Sequence, residues 1–370
     1  MYKVAEKLTP RLNRIVPLIA KVVEGNDLSA NEAEEVFTNI FLYDKEGFHF
    51  LAFIAALHAK GETSDELFGM VVTHEKLGLK LKPKIPIEKT TDLSGSGGGV
   101  IKSFNVSTTA SFIVAAAGYK VLKNAYWAVT SPTGSADVFD IFGILVAKLS
   151  AKRIEKTLEE IGICPIYFPL ISQKLKNRGI ISRKIFGEKK FHIKTPFHFA
   201  SNVTTPVPMK RRIYGLYSEK YLKTIGELFS KLGYEKTLTF YGEGGLPEIS
   251  NIGKTIIVEQ NDKKLKKYSV EPGDLGVRKA TRKQIETGGK EQNIIDFLRV
   301  LRGKEKEAKS DLVAINAAAS FYIMGETKSI TEGVPKAQRI IKNGEGFSIL
   351  EKLVRSQGDY KLLAKWLEKV

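Results

Sequence analysis

The stretch spanning residues 92–137 constrains the fold of this chain more than any other, because it holds the densest run of special-purpose residues. Four glycines fall within five positions, at 95, 97, 98 and 99. Without a Cβ in the way, such a loop can turn its backbone N–H groups toward an anion. It lacks the third glycine of the dinucleotide motif and the Gly-Lys-Ser/Thr triplet of a P-loop. The pattern therefore leaves open an anion cradle of another kind or a tight turn without a ligand.

The residues after the glycine loop predict a helix that begins beside it. Residues 105–109 are mostly helix-capping types, and they precede the apolar run at 110–117. The N-terminus of a helix carries unbonded N–H groups and a partial positive charge, which favour phosphate or pyrophosphate. Lys123 follows a β-like run at 119–122 and adds a cation. Together these features favour the anion cradle.

Length and composition set the class of protein. A chain of 370 residues with 43% hydrophobic content can bury one large core and one smaller core, so we expect two domains or lobes. The single cysteine, Cys164, excludes an intrachain disulfide and indicates a reducing compartment. No apolar leader or membrane-length apolar span is evident, so we expect a cytoplasmic protein. Cys164 lies in an apolar run, where a buried small side chain is expected rather than a nucleophile.

The net charge of +17 indicates a phosphorylated ligand or a polyanionic partner. The supply of both lysine and glutamate also resembles the surface of thermophile proteins, which is an alternative explanation of the charge. Charge alone does not decide between these interpretations.

Hydrophobic spacing divides the chain into a helical part and an α/β part. Residues 12–79 carry apolar positions three and four apart, which predicts a compact helical lobe. Residues 80–91, with Pro83, Pro86 and several lysines, are typical of a hinge-like connection. From residue 92 onward, β-like and helical runs alternate, which predicts an α/β domain. The candidate strands are 119–122, 236–241 and 255–259, and the candidate helices are 136–150, 152–161, 218–232 and 293–302.

These motifs resemble those of the anthranilate phosphoribosyltransferases, which belong to the nucleoside phosphorylase-like (type II) fold family. Beyond the glycine loop, residues 24–29 and 56–63 resemble the N-terminal helical signatures of that family. Residues 134–137 resemble the segment that closes its active-site block, and residues 316–318 resemble its late helix. The resemblance runs from about residue 15 to about residue 355, which is nearly the whole chain.

The resemblance implies an α/β fold class, with a small all-helical lobe and a larger α/β domain built on a central mixed sheet. It also implies an active site in the cleft between the lobes and a homodimer formed through the helical lobe. The implied boundaries are 1–80 for the first part of the helical lobe, 81–91 for the hinge, 92–164 for the first part of the α/β domain, 165–190 for helices that return to the lobe, and 191–370 for the remainder.

The implied reaction moves a phosphoribosyl group from phosphoribosyl pyrophosphate (PRPP) to an amine, with pyrophosphate as the leaving group. Positive charge builds on the ribose and negative charge on pyrophosphate, so oriented N–H groups, a lysine and Mg²⁺ do most of the work. No side chain is assigned as a covalent nucleophile. The positions that match the donor-binding residues of the family are Gly95, Gly97, Gly98, Asn105, Ser107, Thr108, Lys123 and Ser131.

The metal site implied by the resemblance has lost one ligand. Where the family has an Asp-Glu pair after a strand, this chain has Pro247 and Glu248. Mg²⁺ accepts one or two protein carboxylates together with phosphate oxygens and water. We therefore expect a weakened Mg²⁺ site at Ser107 and Glu248, with the displaced Glu243 as a further carboxylate. The alternative is that Glu248 is a solvated loop residue.

Departures from the family cluster on the acceptor side. Its Lys-His-Gly-Asn-Arg motif reads Lys-Asn-Ala-Tyr-Trp at 123–127, its acceptor-binding arginine aligns with Lys194, and Gly99 stands where it has Asp. Lysine cannot reproduce the bidentate fork that arginine offers a carboxylate. We therefore expect a small amine acceptor that is not ordinary anthranilate, beside Asn124, Tyr126, Trp127 and Lys194. The two aromatic residues are either a platform for a different ring or core residues beneath the cleft.

Two other functions remain open from the sequence. A catalytically silent paralogue would bind nucleic acid through basic surfaces at 174–194 and 210–212, with a further lysine run at 263–267. The alternative is that these stretches are solvated basic loops, which are commoner than binding sites. A nucleoside phosphorylase would share the fold and the phosphate cradle, but the additional carboxy-terminal domain expected of it is not evident in this sequence.

Overall fold

The computed structural model describes residues 10–128, 133–167, 172–182, 184–185, 195–305 and 307–370. The α-helices of these residues are, in chain order, α1 (Val16–Val23), α2 (Ala30–Tyr43), α3 (Phe48–Lys60), α4 (Ser64–Leu77), α5 (Val106–Ala116), α6 (Ser135–Ile141), α7 (Ala151–Glu160), α8 (Lys176–Ser182), α9 (Pro196–Ala200), α10 (Leu222–Lys231), α11 (Arg282–Ile285), α12 (Lys290–Leu301), α13 (Ala308–Ile323), α14 (Ile330–Lys342), α15 (Glu345–Gln357) and α16 (Tyr360–Leu367). The strands are β1 (Thr90–Thr91), β2 (Leu93–Gly95), β3 (Lys120–Asn124), β4 (Ile163–Ile166), β5 (Arg211–Gly215), β6 (Lys236–Gly242), β7 (Thr255–Asn261) and β8 (Lys264–Val270).

The chain forms two compact units. The first comprises Met1–Lys80 and Phe168–Pro206, and the second comprises Leu81–Tyr167 and Val207–Val370. The segment at 81–91, interpreted from the sequence as a hinge, belongs to the second unit and contributes β1. The returning part of the first unit extends to residue 206, whereas the sequence interpretation ended it at 190.

The first unit is helical because its segments carry strong start signals and large apolar side chains. Capping boxes begin α2 at Ser29 with Glu32 and α4 at Thr63 with Glu66. Phe37, at the centre of the unit, packs on Phe41 and Phe53 with ring centroids 5.7 and 5.1 Å away. These rings are almost completely buried, so this unit has a core of its own.

The second unit contains two sheets. Strands β1, β3 and β4 form a parallel sheet in the order β1-β3-β4. The other sheet has the order β2-β5-β6-β7-β8, with parallel pairing from β2 to β6 and antiparallel pairing from β6 to β8. The larger sheet is therefore mixed. The predicted fold class, a small helical lobe with a larger α/β domain on a mixed sheet, is confirmed.

The helix α5 is the central element of the second unit. Its apolar residues from Val106 to Ala115 are buried, and it contacts β2, β3, α13 and α15. A helix packed on all sides can be apolar all round. This packing fixes where the N-terminus of α5 lies relative to β2, which matters for the site described below.

Most predicted elements of the second unit are present with shifted ends, but the predicted helix at 136–150 is wrong. α6 ends at Ile141, and a single 3₁₀ turn at Val146–Lys148 follows. Gly143 has φ +76°, and a Cβ there would lie 2.9 Å from the backbone nitrogen of Asp359. The chain turns at Gly143, where the segment before α16 packs closely against it. The spacing of apolar residues in the sequence does not reveal this contact.

Cys164 was expected to be a buried core residue and not a nucleophile. Cys164 is fully buried in β4, and burial raises the pKa of its thiol far above the ordinary value, so it is a core residue as expected. Among the described residues, no helix is both long and apolar enough to span a membrane.

Candidate active site

The glycine loop leaves the carboxyl end of β2, beside β5. Gly95 is in register with Gly215, and the backbone N–H of Ser96 donates to the carbonyl of Gly215 at 2.8 Å. A Cβ on Gly215 would lie 1.8 Å from the carbonyl oxygen of Pro247, so only glycine allows these backbones to approach. Gly97 and Gly98 have φ +59° and +71°, which L side chains rarely adopt. The loop therefore requires its glycines for conformation.

The N-terminus of α5 presents polar groups whose hydrogen-bonding capacity is not used within the described residues. Asn105 is the N-cap, but its side chain makes no capping bond, and its Oδ1 is buried without a hydrogen-bond partner. The hydroxyl of Thr108 is likewise buried without a partner. Since buried polar atoms are nearly always satisfied in a complete site, these atoms indicate that a polar ligand or water belongs here.

Lys123 joins this helix to the glycine loop. Its Nζ donates to the carbonyl of Leu93 in β2 and, at 3.4 Å, to Oγ of Ser107 in the first turn of α5. The side chain is only 2% exposed. Burial lowers the pKa of Lys123 to about 8, while the negative charges of Asp92 and Glu248 oppose that shift. Lys123, the cation predicted for the site, thus lies between the strand that leads into the glycine loop and the first turn of α5.

A buried ion pair behind Lys123 was not predicted. Nη2 of Arg212 in β5 donates to Oδ2 of Asp92 at 2.6 Å, and both side chains have no exposed surface. Ser94 also donates to this Asp92 oxygen at 2.6 Å, and Nη1 of Arg212 donates to the hydroxyl of Tyr234 at 3.2 Å. The pair ties the start of the glycine loop to the neighbouring strand. The sequence pattern of three adjacent basic residues at 210–212 gave no sign of it.

Glu248 lies inside the site and not in solvent. It is 8% exposed, and its Oε2 has no hydrogen-bond partner among the described residues. Burial raises the pKa of Glu248 to about 8, and the positive charge of Lys123 opposes that rise. The alternative of a solvated loop residue is therefore wrong. Glu243 is instead exposed, and its carboxylate accepts the backbone N–H of Lys254 at 3.0 Å, so it stabilises its own loop.

The residues present fit a Mg²⁺ ion that arrives with phosphate oxygens. Among the described residues, no group of three or more His, Cys, Asp or Glu side chains is placed to hold a metal on its own. Glu248 nevertheless offers a buried carboxylate oxygen to which no described residue donates, and Ser107 offers a hydroxyl beside Lys123. One carboxylate with a hydroxyl is a donor set that Mg²⁺ completes with substrate phosphates and water.

The acceptor-side residues follow β3 and β4. Asn124 ends β3 and is buried, and Ala125 bonds to Ile166 at the end of β4. The rings of Tyr126 and Trp127 meet Tyr167 edge to face, with centroids 5.2 and 5.0 Å away.

Both aromatic residues are partly exposed, and Nε1 of Trp127 donates to Asp140 at 2.7 Å. Carboxyl ends of parallel strands are the usual ligand edge of an α/β sheet. The partly exposed rings of Tyr126, Trp127 and Tyr167, here called the aromatic wall, therefore lie together at this edge. Tyr167 was not among the predicted residues. Ser131 and Lys194 lie outside the described residues.

Several cations of the basic stretches proposed for nucleic acid are buried or paired with acids, whereas Lys174 and Lys176 are exposed. Arg212 is buried, and Lys210 and Arg211 share Glu235 at 2.6 and 3.5 Å. In the stretch at 174–194, residues 183 and 186–194 lie outside the described residues. Arg178 is buried over the ring of Phe197, and Lys184 pairs with Glu46. The interpretation of residues 210–212 as a surface patch is wrong for Arg212.

Comparisons with known proteins identify the class. The sequence matches the family described as "Glycosyl transferase family, a/b domain" over residues 88–347, and the one described as "Glycosyl transferase family, helical bundle domain" over residues 16–73. The anthranilate phosphoribosyltransferase of Methanosarcina acetivorans is 35% identical over 327 residues, which cover 88% of this chain and 85% of that protein. The chain therefore belongs to the anthranilate phosphoribosyltransferase family of glycosyl transferases.

Solved structures agree with this assignment. Anthranilate phosphoribosyltransferase from Thermus thermophilus has a TM-score of 0.81 at 26% identity, with 92% of this chain and 98% of that chain covered. The enzyme of Saccharomyces cerevisiae in complex with PRPP and Mg has a TM-score of 0.80 at 21% identity, with 93% and 98% covered. The second likeness concerns the fold alone.

The buried carboxyl of Glu248 gives a pH prediction for the metal-free protein. The side chain ionises near pH 4.5 when unfolded and at about 8 when folded, so between these values the folded state holds a proton that the unfolded state releases. Stability should fall as pH rises through this window. Glu248→Gln removes the titration, and we expect it to stabilise the protein by about 1–3 kcal/mol at pH 8 and much less at pH 5.

Urea unfolding in EDTA at the two pH values measures this effect, with Glu243→Gln as the matched control. An equal offset for Glu248→Gln at pH 5 and pH 8 would contradict the prediction.

Proposed function

We propose that this chain binds PRPP with Mg²⁺ at the glycine loop and transfers its phosphoribosyl group to a small amine that is not ordinary anthranilate. The observation that carries the proposal is the position of Lys123, which is buried between β2 and the first turn of α5. A buried ammonium beside unbonded helix N–H groups favours a multiply charged phosphate ligand. The relative from Methanosarcina acetivorans, which is named an anthranilate phosphoribosyltransferase, supports a phosphoribosyl donor.

In this proposal the chain's own residues supply charge and orientation. Gly95, Gly97 and Gly98 bring backbone N–H groups close to the donor, while Asn105, Ser107, Thr108, Lys123 and the undescribed Ser131 bind its phosphates. Ser107 and Glu248 would hold Mg²⁺, which neutralises charge on the leaving pyrophosphate when it is bound. Because these groups are preorganised, they stabilise the developing charge without reorganising during the reaction.

The acceptor half of the proposal concerns the aromatic wall. Asn124, Tyr126 and Trp127 replace the histidine, asparagine and arginine of the family motif, and Lys194 replaces its acceptor-binding arginine. The Tyr126, Trp127 and Tyr167 rings support stacking of a ring against the wall more readily than recognition of a carboxylate. No described side chain of this group offers the bidentate fork that a carboxylate selects.

We also infer a homodimer through the helical unit, as the family resemblance implies. Val16 and Val23 lie seven residues apart on α1 and are 48% and 68% exposed, with Ala20 between them on the same face. An apolar stripe on one short helix is a natural contact surface for a second copy. A molar mass of one chain by light scattering at micromolar concentration would contradict the dimer.

Donor binding gives the direct test of the proposed function. Lys123→Met keeps the volume of the side chain but removes its charge, and Ser107→Ala removes one hydroxyl. Loss of a charge-assisted hydrogen bond to phosphate costs roughly 1.5–3 kcal/mol, so we expect Lys123→Met to weaken PRPP binding about 10- to 150-fold. Titration calorimetry with PRPP, with and without Mg²⁺, measures the dissociation constants.

The matched control is Lys120→Met on the same strand, because Lys120 bonds to the carbonyl of Glu159 and not to the loop. Thermal unfolding of each variant checks that the fold is retained. Unchanged affinity in both site variants would place the donor elsewhere, and no PRPP binding by the wild-type protein would overturn the proposed function.

A further inference from the structure

A strongly basic loop between β8 and α12 is left without a role by the proposed function. Residues 276–290, here called the basic loop, include the short helix α11 and the first residue of α12. They contain the cations Arg278, Lys279, Arg282, Lys283 and Lys290, and one acid, Glu286. All five cations are exposed. The loop was not among the basic stretches singled out from the sequence. Its position in the fold, and not its composition alone, makes it informative.

The basic loop is fastened to the candidate site at three points. The backbone N–H of Ala280 donates to the backbone carbonyl of Asn251 at 2.8 Å, and Asn251 belongs to the loop that carries Glu248. The backbone N–H of Thr287 donates to the carbonyl of Lys102 at 2.9 Å, just after the glycine loop, and Glu286 forms a β-bridge with Ser103.

The third fastening joins the helix that follows. Oδ1 of Asn293 in α12 accepts the N–H of Asn105, the N-cap of α5, at 3.4 Å. Backbone bonds thus hold the basic loop against the loop that carries Glu248 and against the segment after the glycine loop. The helix that follows reaches the N-cap of α5 through a side-chain bond.

Two of the five cations interact with acidic residues among those described. Arg282 pairs with Glu286 at 2.7 Å, and the charge of Arg278 acts on the carboxyl of Asp311. Lys279, Lys283 and Lys290 form no ion pair with any residue that the structure describes. Since cations in structural networks are normally paired, three exposed lysines at the border of an anion site leave a net positive field there.

We propose that the basic loop is an electrostatic capture surface for the polyanionic donor, with Lys279, Lys283 and Lys290 speeding its approach to the glycine loop. This inference rests on the proposed function. Charge of one sign around a site raises the association rate of an oppositely charged ligand by about 10- to 1,000-fold, and the effect falls steeply with salt. Because these lysines act at a distance, they should change association and leave the dissociation of bound donor unaltered.

The test compares the triple variant Lys279→Gln, Lys283→Gln, Lys290→Gln with a triple control. The control, Lys352→Gln, Lys361→Gln, Lys365→Gln, removes the same charge from exposed lysines of α15 and α16. With Trp366→Phe in every protein, so that Trp127 is the single tryptophan, stopped-flow fluorescence follows PRPP association at constant Mg²⁺. It is measured in about 0.01 M and about 1 M salt, where the Debye lengths are about 30 and 3 Å. Ribose 5-phosphate, which carries fewer charges, is the second ligand.

We expect the basic-loop variant to lower the association rate of PRPP on the order of 10-fold at low salt, with an unchanged dissociation rate. The difference should close at high salt and should be smaller for ribose 5-phosphate. An association rate equal to that of the control variant, or a change confined to dissociation, would overturn the capture surface while leaving the proposed function intact. A wild-type protein that binds no PRPP would overturn both.

Discussion

Replacing Asp92 with alanine should lower the free energy of unfolding by about 3–5 kcal/mol, because it leaves Arg212 buried without its carboxylate. Both side chains have no exposed surface, and their contact at 2.6 Å joins β2 to β5. Arg212 would keep its bond to Tyr234, which is uncharged. A buried guanidinium that has lost its carboxylate cannot release its proton, so the folded state bears the cost of keeping that charge out of water.

The double variant Asp92→Leu, Arg212→Met separates the cost of an unpaired charge from the value of the pair. Apolar residues of similar volume often replace a buried ion pair at little cost, so the double variant should recover most of the stability lost in Asp92→Ala. Urea unfolding of the wild type, Asp92→Leu, Arg212→Met and the double variant completes a double-mutant cycle, with Asp92→Ala measured beside them. A loss of less than about 1 kcal/mol in Asp92→Ala would show that the pair is hydrated, which contradicts its burial.

This pair also shows why part of the site could not be predicted from the sequence. The glycine loop, the start of α5 and Lys123 lie within about thirty residues, and each carries a local signature. Asp92 and Arg212 are 120 residues apart and meet only because β2 pairs with β5. In the sequence, Arg212 stands with two other basic residues and looks like surface. Burial by strand pairing is a tertiary property that a local pattern does not contain.

Glu248 and the aromatic wall illustrate the same limit. The position of Glu248 was predicted from the resemblance, but its depth follows from the backbone approach of Pro247 to Gly215. Tyr167 was missed because it follows β4, whereas Tyr126 and Trp127 follow β3, and only parallel pairing of these strands brings the three rings together. Residue types at motif spacing were predictable. Contacts that depend on sheet order were not.

In the proposed match to the family motif, the acceptor side of the candidate site departs from the family more than the donor side does, and this difference bears on the acceptor. On the donor side, Lys123, Ser107 and Thr108 match the family and are held in a buried, connected arrangement. On the acceptor side, Trp127 stands where the family motif has arginine, and its ring is fixed by Asp140 and Tyr167. A fixed indole cannot give way to a carboxylate or bind one as arginine does. Donor binding should therefore persist where anthranilate transfer fails.

The wild-type protein should accordingly be a poor anthranilate phosphoribosyltransferase that still binds PRPP. Holding two reactants in line supplies up to roughly 7–11 kcal/mol of a rate enhancement, so a misplaced acceptor alone can remove several orders of magnitude. Anthranilate-dependent consumption of PRPP, measured beside calorimetric donor binding, tests both halves at once. The variant Asn124→His, Tyr126→Asn, Trp127→Arg restores the histidine, asparagine and arginine of the family motif and should raise anthranilate turnover without tightening donor binding. Wild-type turnover of about 1 per second or faster would make anthranilate the substrate and defeat this prediction.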